Sequence, residues 1–148
     1  MVLKEFDEKA KSTFGICSFE TIKEVFRVER ISFSEDNVFE ILEVIIALIE
    51  KYFKSGYCYV RITFWDLAES DSFSNNCLLI EINDDSAVGL YHFNLKDEGL
   101  KQLLLSHLNY ELGLEPSINI TAFFINFEDK IVVNVFDDRG LDYLVIND

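Results

Sequence analysis

The chain has 148 residues, of which 49% are hydrophobic and 27% are charged, a composition that supports a folded core and argues against a disordered chain. Its 27 acidic residues outnumber its 13 lysines and arginines, so the formal net charge at pH 7 is -14. This excess disfavours contact with nucleic-acid phosphates or with anionic membranes. We therefore expect one acidic domain over residues 1–148 that binds neither nucleic acid nor membrane directly.

The amino terminus and the cysteines both indicate a cytoplasmic protein. Residues 1–8 alternate charged and apolar side chains and lack the apolar core of a secretory signal. The longest apolar stretch, residues 38–49, contains two glutamates and is shorter than the roughly 20 residues that span a bilayer. Three widely spaced cysteines without a C-x-x-C pair are typical of reduced thiols. A bridge between Cys58 and Cys77 on neighbouring strands stays open as an alternative.

Two helices are predicted in the first third of the chain. Ser18 precedes apolar residues at spacings of three and four, which predicts a short amphipathic helix over residues 18–29 with Ser18 as its cap. A second apolar stripe runs from Val38 to Phe53 opposite a mainly acidic face, and Gly56 ends this helix. The second helix is expected to belong to the core.

The middle of the chain changes to a period of two, which is typical of strands. Residues 57–65 alternate in this way and predict a strand, and an irregular loop follows over residues 66–76. Strands over residues 77–83 and 87–94 flank a turn rich in Asn and Asp, whose side chains bond to nearby backbone. These two strands therefore predict a hairpin.

A helix and three strands complete the pattern. Leucines at helical spacing predict a helix from about residue 96 to residue 112. Strands follow over residues 118–127, 130–136 and 141–146, and their short connections allow only antiparallel neighbours. The order helix, helix, three strands, helix, three strands lacks the alternation that builds a parallel sheet. The predicted fold class is α+β, a single domain with a mainly antiparallel sheet.

The sequence lacks the residue sets that common enzyme mechanisms require. Nucleophilic catalysis needs a general base, and the only histidines are His92 in a predicted strand and His107 on a predicted helix. His107 and Glu111 lie four residues apart, but no nearby histidine or cysteine completes a metal site. Glycine-rich phosphate loops are also absent. We therefore expect no enzymatic activity, no metal and no cofactor.

The acidic residues are concentrated after Arg61. Between Arg61 and Lys96 there are six acids and no base, and residues 102–148 hold eight acids and two bases. Residues 1–61 are nearly balanced, with eleven acids and nine bases. Turn chemistry explains many of the aspartates, but it does not explain this uneven distribution. A polarised surface suits a basic protein partner, because complementary fields speed encounter and select the partner.

A turn is predicted at Asp137-Asp138-Arg139-Gly140. Gly140 is expected there because the turn needs a residue at positive φ. For Arg139 two alternatives stay open: it pairs with Asp137 or Asp142 across the turn, or it points outward to a ligand carboxylate or phosphate.

At this turn the sequence resembles a family of uncharacterised bacterial domains that end in a strand, a Tyr-Asp-Asp-Arg-Gly turn and another strand. The match lies in residues 122–126, 130–132 and 136–142, with Phe136 in place of the usual Tyr. No established chemistry comes with that family, so the resemblance implies a fold rather than a function.

In size, acidity and lack of catalytic motifs, the chain is also similar to immunity proteins of bacterial contact-dependent growth inhibition and related toxin systems. These proteins are small, acidic, cytoplasmic binders of toxic nuclease domains. Type III secretion chaperones share these traits and are an alternative. Their typical order of elements is helix, strands, helix, strands, helix, whereas the last element predicted here is a strand. The resemblance implies a toxin inhibitor that acts through a protein interface.

The resulting hypothesis is an immunity protein that covers the basic cleft of a cognate bacterial toxin, with a nuclease as the expected target. The predicted partner contacts are Asp66, Glu69, Asp71, Asp84, Asp85, Asp137, Asp138, Arg139 and Asp142. The competing hypothesis is a small enzyme or ligand-binding domain with a polar site at residues 137–139. It expects a concave pocket beside that turn and an acid of strongly perturbed pKa.

Overall fold

The structure is a computed structural model that describes residues 2–19, 22, 28–34 and 37–146. These residues form three α-helices, which are α1 (Leu3–Phe14), α2 (Val38–Tyr52) and α3 (Glu98–Leu112). They also form seven strands, which are β1 (Glu29–Ser32), β2 (Tyr57–Phe64), β3 (Cys77–Ile82), β4 (Ala87–Asn94), β5 (Ile120–Asn126), β6 (Ile131–Asp137) and β7 (Gly140–Val145). None of the helices in the described part of the chain is long and apolar enough to cross a bilayer.

The seven strands form one antiparallel sheet in the order β1-β7-β6-β5-β2-β4-β3. This confirms the predicted α+β class, and the elements from α2 to β7 follow the predicted order. α2 and α3 pack on one face of the sheet, where alternate residues of β2 enter the main core. On the opposite face, Phe6, Ala10 and Phe14 of α1 pack against Phe123 and Ile125 of β5. The central strand β5 is buried on both faces, which agrees with its nearly continuous apolar run.

The amino-terminal part differs from the expectation. The sequence-based prediction lacks α1, although its buried residues Leu3, Phe6, Ala10 and Phe14 recur at helical spacing. The helix predicted over residues 18–29 falls largely outside the described residues. Its last residue, Glu29, begins β1, and β1 pairs with β7 at one edge of the sheet. A pairing between segments so far apart in sequence leaves no local pattern.

One end of the sheet collects several connections. β1, β2, β3 and β6 finish at this end, and β4, β5 and β7 begin there. The register shows the alignment, because Phe64 at the end of β2 pairs with both Ala87 of β4 and Ile120 of β5. The connections that follow β2, β3 and β6 therefore emerge at the same end of the sheet.

The cysteines lie apart from one another. Cys58 of β2 is buried, and burial raises the pKa of its thiol. Cys77 lies in β3, and β4 separates β3 from β2. The bridge considered from the sequence required neighbouring strands, so this premise was wrong, and all three cysteines are free.

Candidate functional site

Three acidic connections lie together at the end of the sheet where β2, β3 and β6 finish. They contain the following predicted contact residues: Asp66, Glu69, Asp71, Asp84, Asp85, Asp137 and Asp138. We call this surface the acidic end. The β3–β4 turn and the β6–β7 turn are separated by four strand spacings, or about 19 Å. The fold therefore gathers acids from distant parts of the sequence onto one surface.

Four carboxylates of the acidic end are exposed. Two of its acidic side chains also hold the β2–β3 loop in place by hydrogen bonds. The exposed residues are Asp66, Asp71, Asp84 and Asp85. Asp66 accepts a hydrogen bond from the backbone N–H of Ala68 at 3.0 Å, which caps the first turn of the loop. Glu69 accepts one from the backbone N–H of Asn119, also at 3.0 Å, and so ties the loop to the segment before β5.

The β6–β7 turn is closed by Asp137 and Arg139. The Asp137 carboxylate accepts hydrogen bonds from the backbone N–H, Nε and Nη2 of Arg139 at 2.7, 2.9 and 2.7 Å. Burial opposes ionisation of Asp137, but these bonds outweigh it, so the pKa of this carboxyl lies below its usual value. Of the two alternatives for Arg139, pairing with Asp137 is the one observed.

The prediction that Gly140 adopts a positive φ was wrong. Gly140 is not in the left-handed region of φ, and it lies in β7 opposite Ser32 of β1. A Cβ at Gly140 would lie 2.6 Å from the carbonyl oxygen of Ile31 and 2.9 Å from Cζ of Phe136. The position requires glycine because the β1 backbone and the Phe136 ring approach it closely.

Asp142 is paired with an arginine that sequence reasoning did not consider. Its carboxylate oxygens accept hydrogen bonds from Nε and Nη2 of Arg30 at 2.7 and 3.1 Å. The Asp142 side chain is 4% exposed, whereas that of Arg30 is 56% exposed. The guanidinium therefore covers the carboxylate and is the member of the pair that faces outward.

This pair belongs to a cleft of about 370 Å³ on the face of the sheet that α1 covers in part. One row of its floor crosses five neighbouring strands in register, through Arg30, Asp142, Asn134, Phe123 and Arg61. The rest of its lining comprises Phe19, Ile22, Thr63, Trp65, Thr121 and Phe136. Asp137, Asp138 and Arg139 do not line it. The cleft thus combines guanidinium, hydroxyl and aromatic groups on a rigid sheet.

Both guanidinium groups of the cleft are held from two sides. Arg61 donates from Nε and Nη2 to the Asp7 carboxylate at 2.8 and 3.1 Å, and its Cζ lies 4.6 Å from the centre of the Phe19 ring. Arg30 lies in the same way over Phe136, with its Cζ 5.1 Å from the ring centre. Ion pairing and cation–π contact together restrict the orientation of each group.

Trp65 follows β2 and is the only tryptophan of the chain. More than half of its surface is exposed, yet its indole N–H donates to Oγ1 of Thr121 at 3.0 Å. Thr121 in turn lies opposite Thr63 in the β5–β2 register. The hydrogen bond fixes the indole ring at the cleft.

Sequence reasoning missed this cleft. The polar face of β2, which includes Arg61 and Thr63, is visible as an alternation, but such a face ordinarily indicates exposure to solvent. The partners of the two arginines are 54 and 112 residues away in sequence, at Asp7 and Asp142. No local spacing reports such pairs.

The histidines have structural surroundings. His107 is buried, and its Nε2–H donates to the carbonyl of Val135; burial lowers its pKa despite that bond. His92 is exposed, and its ring stacks on Tyr57 with 5.1 Å between ring centres. Among the described residues, no group of three histidine, cysteine or acidic side chains is placed to hold a metal.

A family model described as a domain of unknown function (DUF3885) matches residues 19–148 of the chain. The matched region contains the acidic end and all seven strands, and it begins after α1. Comparisons of the chain with curated proteins and with solved structures gave no match. The comparisons thus provide a family but no activity.

Proposed function

The chain belongs to the DUF3885 family, whose description names no activity, and we propose that it is an immunity protein that inhibits a cognate toxin through the acidic end. The observation that carries the proposal is the convergence of three acidic connections at one end of the sheet. A nuclease must attract phosphate, so its cleft is basic and complementary to this surface. Covering that cleft would block substrate entry.

An exposed apolar strand edge adjoins the acidic end and supports a protein interface there. β3 is the last strand of the sheet, and its outer edge has no strand partner among the described residues. Leu78, Ile80 and Ile82 of this strand are exposed, Ile82 to 65%. Asp84 and Asp85 follow within three residues. Interfaces commonly combine an apolar centre with a charged rim, and exposed strand edges are frequent docking sites.

The rigidity of the acidic end also favours binding. Asp66 and Glu69 hold the β2–β3 loop by side-chain hydrogen bonds, so less conformational entropy is lost when a partner is bound. Attraction between the exposed carboxylates and a basic partner speeds association and weakens as salt screens the charges. We therefore expect a tight complex whose association rate falls with ionic strength.

The proposal predicts a gene for a large exported toxin immediately upstream of the gene of this chain. The test is co-expression with the toxic domain of that gene product, followed by binding measurements with the purified pair. The wild-type chain should restore growth. The double variant Asp84→Asn and Asp85→Asn should lower the association rate constant by about tenfold at low salt, because it removes two exposed charges while Asn still suits the turn. Failure of the wild-type chain both to bind and to protect would overturn the proposal.

A matched control removes the same charge elsewhere. Glu50 and Glu98 are exposed near the opposite end of the sheet, close to where α2 ends and α3 begins. Glu50→Gln with Glu98→Gln should change the association rate by less than about twofold. An equal effect of both double variants would show that net charge, and not the acidic end, governs association.

The apolar edge is tested separately with Ile82→Ala. Because Ile82 is largely exposed, the free energy of unfolding should change by no more than about 0.5 kcal/mol. The dissociation rate of the complex should rise, since the buried part of an interface acts mainly on dissociation. An unchanged dissociation rate would exclude β3 from the interface.

A further inference from the structure

The cleft on the α1 face of the sheet presents positive groups although the chain as a whole is strongly acidic. It is lined by two of the four arginines of the chain. In the Arg30–Asp142 pair, the guanidinium is the exposed member. In the Arg61–Asp7 pair, Arg61 lines the cleft and Asp7 does not. At the Arg30 side of the cleft, a molecule that enters therefore meets the guanidinium before it meets the Asp142 carboxylate.

Both guanidinium groups are held in fixed orientations and keep N–H donors that their aspartates do not use. Each uses Nε and Nη2 for its aspartate, and a guanidinium has five N–H donors in a planar fork that matches carboxylate and phosphate oxygens. The aspartates and the rings of Phe19 and Phe136 fix the orientation of both groups, which lowers the entropy cost of binding. The chemistry on offer is recognition of an anionic oxygen group.

A planar surface lies in the same cleft. The indole of Trp65 is more than half exposed and is oriented by its hydrogen bond to Thr121. Exposed, fixed aromatic rings stack on planar rings of ligands. The hydroxyl of Thr63, beside Thr121 in the register, adds a neutral polar group to the floor. The volume of about 370 Å³ is within the range of small-molecule sites.

We propose that this cleft binds a small ligand that joins a carboxylate or phosphate group to a planar ring. The anionic group is bound by the exposed guanidinium group of Arg30, and the ring stacks on Trp65. This ligand site is separate from the acidic end, through which toxin inhibition is proposed, and the two proposals are tested by different measurements.

The experiment uses the emission of Trp65, which is free of other tryptophan signals because the residue is unique. The full chain is titrated with adenosine 5′-monophosphate and with benzoate, which carry a ring with a phosphate or a carboxylate, and with inorganic phosphate and adenosine as the separate parts. We expect the emission of Trp65 to change in a saturable way with the monophosphate or with benzoate. When the monophosphate is the ligand, we expect half-saturation at a concentration about tenfold lower than for either separate part.

Two variants and one control locate the site. Arg30→Gln should raise the half-saturating concentration about tenfold, the scale of one charge-assisted hydrogen bond. Thr63→Val keeps the side-chain size and all ion pairs, and it should raise that concentration about threefold. This second variant keeps the site testable if Arg30→Gln does not fold. Arg139→Gln loses the same charge outside the cleft and should leave binding unchanged within about twofold.

Three results would overturn the inference. The first is no saturable change with either the monophosphate or benzoate. The second is binding of inorganic phosphate as tight as that of the better ring-bearing probe, which would exclude the stacking surface. The third is an equal loss of binding in Arg139→Gln and Arg30→Gln, which would place the anion outside the cleft.

Discussion

Arg61 in β2 and Asp7 in α1 form a two-point ion pair across 54 residues of sequence, with N–O distances of 2.8 and 3.1 Å. Both side chains are largely buried, at 13% and 19% exposure. Phe6 and Phe14 of the same helix pack on the aromatic ring of Phe127. The ion pair therefore fixes α1 on the sheet and at the same time orients Arg61 in the cleft.

Asp7→Ala should lower the free energy of unfolding by about 2 kcal/mol or more, because it leaves the largely buried Arg61 without its carboxylate. Glu8→Ala is the matched control, since Glu8 is exposed on the same helix and carries the same charge. It should change stability by less than about 0.5 kcal/mol. Urea unfolding of both variants measures the difference, and equal losses would contradict a structural role of the pair.

Gly140 and Gly15 should respond differently to substitution. Gly15 lies at φ +68° with open space around its Cα, so the cost there is conformational and Asn should be tolerated better than Ala. At Gly140 the cost is steric, so Ala should destabilise by about 1 to 3 kcal/mol and Asn by more. Chemical unfolding of the four variants tests this, and an advantage of Asn over Ala at Gly140 would restore the turn explanation.

Asp137 should contribute stability that is lost in acid. Its pKa in the folded chain lies below the unfolded value of about 3.9, so the folded state favours the ionised form. The contribution is present above about pH 4 and disappears as the pH falls through the folded pKa. Asp137→Asn should flatten the dependence of the unfolding free energy on pH in this range. Asp138→Asn, in the same turn, is the control, and an equal flattening there would exclude Asp137 as the source.

His107 should make the protein less stable as the pH falls below 7. Burial lowers the pKa of His107 in the folded chain, so the unfolded chain, with a pKa of about 6.5, binds the proton first. The unfolding free energy therefore decreases from about pH 7 toward the folded pKa and levels off below it. His107→Gln, which keeps a donor for the Val135 carbonyl, should remove this slope.

The second histidine provides the comparison. His92 is exposed and stacks on Tyr57, and His92→Gln should retain the slope that is seen in the wild-type chain. Persistence of the full slope in His107→Gln would assign it to other groups. Urea unfolding at several pH values is sufficient for both variants.

Local periodicity determined most elements of this fold. α2 and α3 carry apolar residues at helical spacing, and the strands from β2 to β7 alternate or are apolar on both faces, because each element has to bury one or both of its faces. Residue distribution also located the acids after Arg61, and antiparallel connections were predictable from their short lengths. The sequence alone thus specified the α+β class and the acidic, strand-rich part of the chain.

The tertiary structure decided which distant groups meet. β1 pairs with β7, Asp7 reaches Arg61, and Arg30 covers Asp142, all between segments far apart in sequence. The pairing of β1 with β7 also explains why residue 140 is a glycine. The β1 backbone approaches this position closely, and no special dihedral angle of the turn is involved. Spacing along a chain reports which face of an element is apolar, but it does not report what packs against that face. That choice depends on loop closure and on the summed packing of the whole sheet, and so the cleft became visible only in three dimensions.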